Sequence, residues 1–162
     1  MPFNFLLTNN LLCNTSWVEN GTKISMSPEN GEKILFFKLD DGNNSISLKK
    51  ALNMRNDNQS VCDLLVYYQK IDVNNTKKIM CFAEGKGTDI KHAVEQIQNT
   101  YRVFCGSLPK SILGQVIWTA YIQGNPGSSL KNTKELKNEL ICSGIKKCEI
   151  GKTKFEQFIR TV

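Results

Sequence analysis

Two apolar runs separated by a short polar stretch mark the middle of the chain: Val61-Cys62-Asp63-Leu64-Leu65-Val66-Tyr67-Tyr68 and Lys78-Ile79-Met80-Cys81-Phe82-Ala83. Runs of this length, rich in β-branched and aromatic residues, read as buried strands. Residues 69–77 between them are short enough to join them as a hairpin. After the turn Gly85-Lys86-Gly87-Thr88-Asp89 the pattern changes. Ile90, Ala93, Val94, Ile97, Tyr101 and Phe104 recur at helical spacing, and Thr88 or Asp89 is the natural N-cap.

The same reading places a strand at 34–39, ending at Asp40-Asp41-Gly42, and another at 114–123. The loop Gly124-Asn125-Pro126-Gly127-Ser128-Ser129 then leads into a basic helix over 130–142. Residues 3–12 suit a helix or a strand, 25–31 form a polar turn containing Pro28, and 45–59 read as a short strand with a loop or as a polar connection. No repeat, low-complexity tract or linker rich in Pro, Gly and Ser interrupts the chain. The expectation is one α/β domain over 1–162, a central mixed β-sheet flanked by helices.

Pairing the two apolar runs has a chemical consequence. Asp63 heads one strand and Glu84 ends the next, so two carboxylates meet at one end of a sheet. Side chains two apart on a strand share a face, so Glu84 and Lys86 project together. Strand, acid, strand, acid-x-lysine, helix is the order in which this sequence resembles the PD-(D/E)XK nuclease superfamily. Asp63 matches its lone Asp, and Glu84 with Lys86 match its (D/E)xK. The run from Phe82 through Glu84-Gly85-Lys86 to Ile97 looks like the central strand and following helix of small members, in which a helix Gln lies near the site; Gln96 is the matching position. The strand over 114–123 and the basic helix after it fit the same core. The resemblance covers residues 30–150 and is clearest at 61–100. Cys62 stands where the name of the superfamily would put Pro. Glu19, Glu29 and Glu32 are the candidates for a further acid upstream, which stays unassigned.

The resemblance implies a restriction-endonuclease-like core and a metal-dependent endonuclease that hydrolyses phosphodiester bonds in DNA, in restriction or defence. Asp63 and Glu84 supply hard oxygen ligands of the kind Mg²⁺ prefers, with Mn²⁺ as a substitute, and the carbonyl of Gly85 can complete the set. Lys86 would offset phosphate charge and position the attacking water. Two carboxylates beside it keep it protonated in the metal-free state, so it reads as an electrostatic participant. Gln96 would orient Lys86 or touch a phosphate. His92, the one histidine, reads as a solvated helix residue, because metal sites built on His usually show a second one at short spacing.

Composition adds a partner. The chain has 162 residues, 40% hydrophobic, and a net charge of +6. Residues 1–100 carry 11 Lys and Arg against 11 Asp and Glu, whereas 101–162 carry 10 against 4. The whole excess lies in the last third, and Lys131, Lys134 and Lys137 share one face of the basic helix, a spacing suited to a phosphate backbone. A solvated basic face is the plain alternative. Nucleic acid is the expected partner, DNA ahead of RNA, with a homodimer or a larger defence complex supplying the second site that cutting both strands asks for. The six cysteines form no CxxC pair, which favours a reducing cytoplasm over a disulfide framework or a zinc site. Residues 1–13 lack the basic region of a secretory signal, and no run is long enough to cross a bilayer. Two other readings stay open: a catalytically inactive PD-(D/E)XK-fold subunit that binds nucleic acid or protein, and a small interaction protein whose strand-end charges only form ion pairs.

Overall fold

The computed structural model of the chain describes residues 2–19, 21–41, 43–54, 60–73, 75–85, 89–124 and 130–162. In chain order the elements are α1 (Pro2–Asn9), β1 (Ser16–Glu19), β2 (Thr22–Ser25), β3 (Glu32–Lys38), α2 (Asn43–Ala51), β4 (Leu64–Asp72), β5 (Asn75–Gly85), α3 (Ile90–Ser107), α4 (Lys110–Leu113), β6 (Ile117–Gln123), α5 (Leu130–Cys142), β7 (Lys147–Gly151) and α6 (Phe155–Thr161). The fold is α/β, with a five-stranded mixed sheet in the order β3-β4-β5-β6-β7 and a separate β1-β2 hairpin.

The two apolar runs do pair. β4 and β5 are antiparallel with Leu64 opposite Ala83 and Asp72 opposite Asn75. The polar stretch between them is therefore mostly strand, with β4 running to Asp72 and β5 starting at Asn75. β3 adds antiparallel on the outer side of β4. β6 and β7 add parallel beyond β5, with α3 and α5 as their crossovers. Leu64, Leu65 and Val66 are all fully buried, because β4 is covered on both faces. That is why the sequence reads there as an unbroken apolar run rather than as an alternation.

Strand alternation sorts the core into two layers. Leu65, Met80, Phe82, Trp118 and Ile122 face α3, where Ile90, Ala93, Val94, Ile97 and Phe104 meet them. Phe82 and Trp118 stack there at 5.6 Å. Leu64, Val66, Cys81, Ala83 and Tyr121 face the other way, against Trp17, Ile24 and Met26 of the hairpin and Phe155, Phe158 and Ile159 of α6.

Local signals account for several ends. The Asp89 side chain accepts a hydrogen bond from the His92 amide at 3.2 Å, the N-cap of α3. Within 45–59, expected as a short strand with a loop or as a polar connection, residues 45–51 belong to α2, since Leu48 and Leu52 complete the α3-side core. Residues 55–59 of that same stretch lie outside the described residues. The strand expected over 114–123 starts only at Ile117; Gly114 instead ends the short helix α4, donating to the Lys110 carbonyl at 3.2 Å. Among the described residues no helix is long and apolar enough to cross a membrane.

Candidate active site at the end of the sheet

Asp63 and Glu84 face each other across the β4–β5 pair. The Asp63 amide donates to Glu84 Oε2 at 2.8 Å, and the Gly85 amide donates to Asp63 Oδ2 at 3.1 Å. Each carboxylate thus clasps the backbone of the opposite strand. Outside them the Leu39 amide donates to the Asp63 carbonyl at 2.8 Å, so β3 holds the same spot from the other side. Glu84 is fully buried and Asp63 partly so. By alternation both side chains lie on the α3 face, since Leu65, two beyond Asp63, and Phe82, two before Glu84, pack there.

The segment leading into Asp63 is fixed by α3. Gln96 Nε2 donates to the Val61 carbonyl at 3.1 Å, and the Cys62 amide donates to Thr100 Oγ1 at 2.9 Å. Thr100 in turn donates to the Gln96 carbonyl at 2.7 Å. Gln96 is therefore a buried residue two positions from Asp63 along this ladder and not a surface amide. Its Oε1 is buried and accepts no hydrogen bond among the described residues. Burial, followed by the fields of Glu84 and Asp63, pushes the Cys62 thiol well above its usual pKa, so it stays protonated.

Gly85 has its own reason to be glycine. A Cβ there would sit 2.9 Å from Thr22 Cγ2 and 3.0 Å from the Trp17 ring. The β1-β2 hairpin therefore closes on the backbone between Glu84 and Lys86, a contact that a side chain would block.

Of the residues singled out from sequence, Asp63, Glu84, Gly85 and Gln96 come together at this end. Lys86 lies outside the described residues. The upstream acids separate. Glu29 and Glu32 belong to the opposite end of the sheet, about 20 Å away along β3 at about 3.3 Å per residue, where both contact Arg160. Glu19 ends β1, pairs in register with Thr22 and approaches Lys38 at 3.9 Å. His92 is exposed and 3.8 Å from Glu95 on its own helix. On α5 the side chain of Lys131 lies outside the described residues and Lys134 is exposed. Lys137 is half-buried, 3.2 Å from Glu149. The six cysteines are free thiols.

Thr100 and Trp17 escaped the reading of the sequence. Thr100 had a usable signal: it follows Gln96 by four, so the two share a helix face. Trp17 had none, because its partner is a glycine far along the chain.

The chain matches no family model, and no curated protein matches it.

The donor set suits a hard divalent cation. Asp63 and Glu84 stand on neighbouring strand ends, each accepting from the opposite backbone. Both are oxygen donors of the type Mg²⁺ takes, and the buried Gln96 Oε1 is an acceptor suited to a water of such a site.

Proposed function

We propose that the chain is a metal-dependent endonuclease of restriction-endonuclease-like fold, hydrolysing phosphodiester bonds in DNA, with a restriction or defence role. The observation that carries this is the locked opposition of Asp63 and Glu84 on neighbouring strand ends, directly before α3. The meander β3-β4-β5, continued through α3 into a parallel β6, supports the same reading.

In this reading Asp63, Glu84 and the Gly85 carbonyl hold Mg²⁺ or Mn²⁺. The bound ion supplies a Lewis acid that neutralises phosphate charge and makes a water more acidic. The protein's own part is positional and electrostatic. The Asp63 and Glu84 carboxylates are fixed by backbone amides, so they need no reorganisation when charge develops on the phosphate. Gln96 and Thr100 hold residues 61–62 and so set where Asp63 stands. Gln96 Oε1 is available to orient a site water or the Lys86 ammonium. Lys86, two residues beyond Glu84, offsets phosphate charge. Lys131, Lys134 and Lys137 contact the DNA backbone, with Lys137 sharing its charge with Glu149. A homodimer brings two sites to the two strands.

One observation favours a second reading, an inactive PD-(D/E)XK-fold subunit that binds nucleic acid or a protein partner. The reciprocal hydrogen bonds give both carboxylates a structural task of their own.

Supercoiled plasmid with and without Mg²⁺ or Mn²⁺ separates the readings. The expected result is metal-dependent nicking or linearisation by the wild type, lost in Asp63→Asn, Glu84→Gln and Lys86→Ala. The first two variants retain an oxygen acceptor for the backbone amides and remove only the charge. Cleavage that persists unchanged in all three, or a wild type that never cuts DNA, removes the nuclease reading.

A further inference from the structure

A second basic feature lies on the hairpin face, running from Lys23 and Gln123 near the Gly85 end toward Ser27 and Glu156, which neighbour Arg160. A cleft of about 300 Å³ runs between β2 and the turn from β7 to α6; Lys23, Ser25, Ser27, Gln123, Lys152 and Lys154 contribute to its wall. It is anchored next to the carboxylates from two directions. Gln123 is the register partner of Gly85 on the adjacent strand, about 4.8 Å across by ordinary strand spacing. Lys23 follows Thr22, the residue that closes on Gly85.

The turn bearing two of the lysines is fixed. The Tyr121 hydroxyl donates to the Thr153 carbonyl at 2.7 Å, the Thr153 hydroxyl to Glu149 Oε1 at 3.3 Å, and the Gly124 amide to the Gly151 carbonyl at 3.2 Å. Lys152 and Lys154 therefore leave a rigid base on either side of Thr153. Among the described residues none of the three cleft lysines is within salt-bridge reach of a carboxylate, in contrast to Lys137. Glu156, the one acid in the wall, lies 3.8 Å from Arg160. Lysines, serines and a glutamine supply the donor types that phosphate oxygens accept from, and three lysines line this one cleft. The volume is at the lower limit for small-molecule sites, room for a phosphate and its sugar.

We propose that this cleft seats a phosphodiester of the nucleic-acid strand that is cut at Asp63 and Glu84, with Lys23, Lys152 and Lys154 as its cationic contacts. In this proposal the strand passes from the cleft on the hairpin face to the carboxylates on the α3 face. The identity of the strand rests on the nuclease reading; the phosphate chemistry of the cleft does not.

The test is fluorescence anisotropy of a labelled short DNA oligonucleotide in EDTA, across a salt series, for the wild type, the triple variant Lys23→Ala/Lys152→Ala/Lys154→Ala, the corresponding triple Arg variant, and Lys134→Ala. The expected result is affinity about tenfold or more lower in the Ala triple variant, with a salt dependence shallower by about one to three in slope. The Arg variant retains binding, and Lys134→Ala changes it less than the triple does. An Ala triple variant that binds as tightly as the wild type overturns the proposal, whatever the plasmid assay shows. So does inorganic phosphate binding as tightly as the oligonucleotide, which would make the cleft a site for the free anion. If the wild type cuts no plasmid while the Ala triple variant loses oligonucleotide binding, the nuclease reading falls and the binding role of the cleft stands.

Discussion

The two ends of the sheet use acidic residues in opposite ways. At one end Glu32, buried at the start of β3, takes Arg160 Nε and Nη2 at 3.1 and 3.0 Å, the Tyr68 hydroxyl at 2.8 Å and the Glu29 amide at 2.8 Å. Both oxygens are supplied with donors, and one donor is a guanidinium. The carboxyl is held at a pKa of about 2, with the Arg160 hydrogen bonds the main cause, and the Tyr68 hydroxyl is pushed up by burial and by the same carboxylate. At the other end Asp63 and Glu84 stand face to face, each accepting from the backbone of the opposite strand. A matched charge in a ring of donors ties the C-terminal helix to β3. Asp63 and Glu84 are instead held through backbone amides, and it is from this arrangement that the proposed metal site starts. Composition treats these acids alike; their neighbours do not.

Exchanging the two roles is the most direct way to break this comparison. Asp63→Asn is expected to lower metal-dependent cleavage by about a hundredfold or more and to leave the urea midpoint close to wild type. Glu32→Ala should do the reverse. It removes both Arg160 bonds and leaves the Tyr68 hydroxyl without its acceptor, costing about 2–3 kcal/mol in urea unfolding once the partial exposure of Arg160 is allowed for. A Glu32→Ala chain that is as stable as wild type would end the structural assignment. Acid titration sharpens the same point. The folded pKa of Glu32 lies below its unfolded value, so its contribution is complete above about pH 5 and is lost as pH falls toward about 2. Thermal melts between those limits should show a shallower acid slope for Glu32→Gln than for wild type.

Gly85→Ala ranks next. The added methyl would meet Thr22 and the Trp17 ring at 2.9–3.0 Å, and overpacking of this kind costs about 1–3 kcal/mol. Chemical denaturation measures the cost, and Trp17 fluorescence reports whether the hairpin moves; an unchanged spectrum and midpoint would show that the hairpin does not bear on the strand end. The smallest effect is expected for Thr100→Val. It leaves the buried Cys62 amide without its acceptor, a loss of about 1–2 kcal/mol. A drop in cleavage larger than the drop in stability would show that α3 positions Asp63.

Much of this was legible in the chain. The β4–β5 hairpin follows from two apolar runs, and α3 from its 3.6-residue apolar spacing and the Asp89 cap. The opposition of Asp63 and Glu84 follows from placing one acid ahead of the first strand and one near the end of the second, both at the hairpin's open end. α5 was legible to its ends, Leu130–Cys142. What failed was information carried at long range. α2 has a weak apolar pattern of its own and is decided by Leu48 and Leu52 finding the core. Glu32 looked like any of three upstream acids until Arg160, 128 residues later in the chain, claimed it. The Lys23, Lys152 and Lys154 cleft joins residues from both ends of the sequence.

By itself, then, the sequence determined the local elements and the order in which acid, strand and helix arrive, because periodicity, capping and hairpin pairing act between near neighbours. Only the tertiary structure decided which carboxylate meets a guanidinium and which accepts from the backbone of the opposite strand. It alone decided why residue 85 is glycine, and which three lysines line one cleft. Those outcomes depend on burial and on contacts between distant segments, and nothing in the local pattern of the chain encodes them.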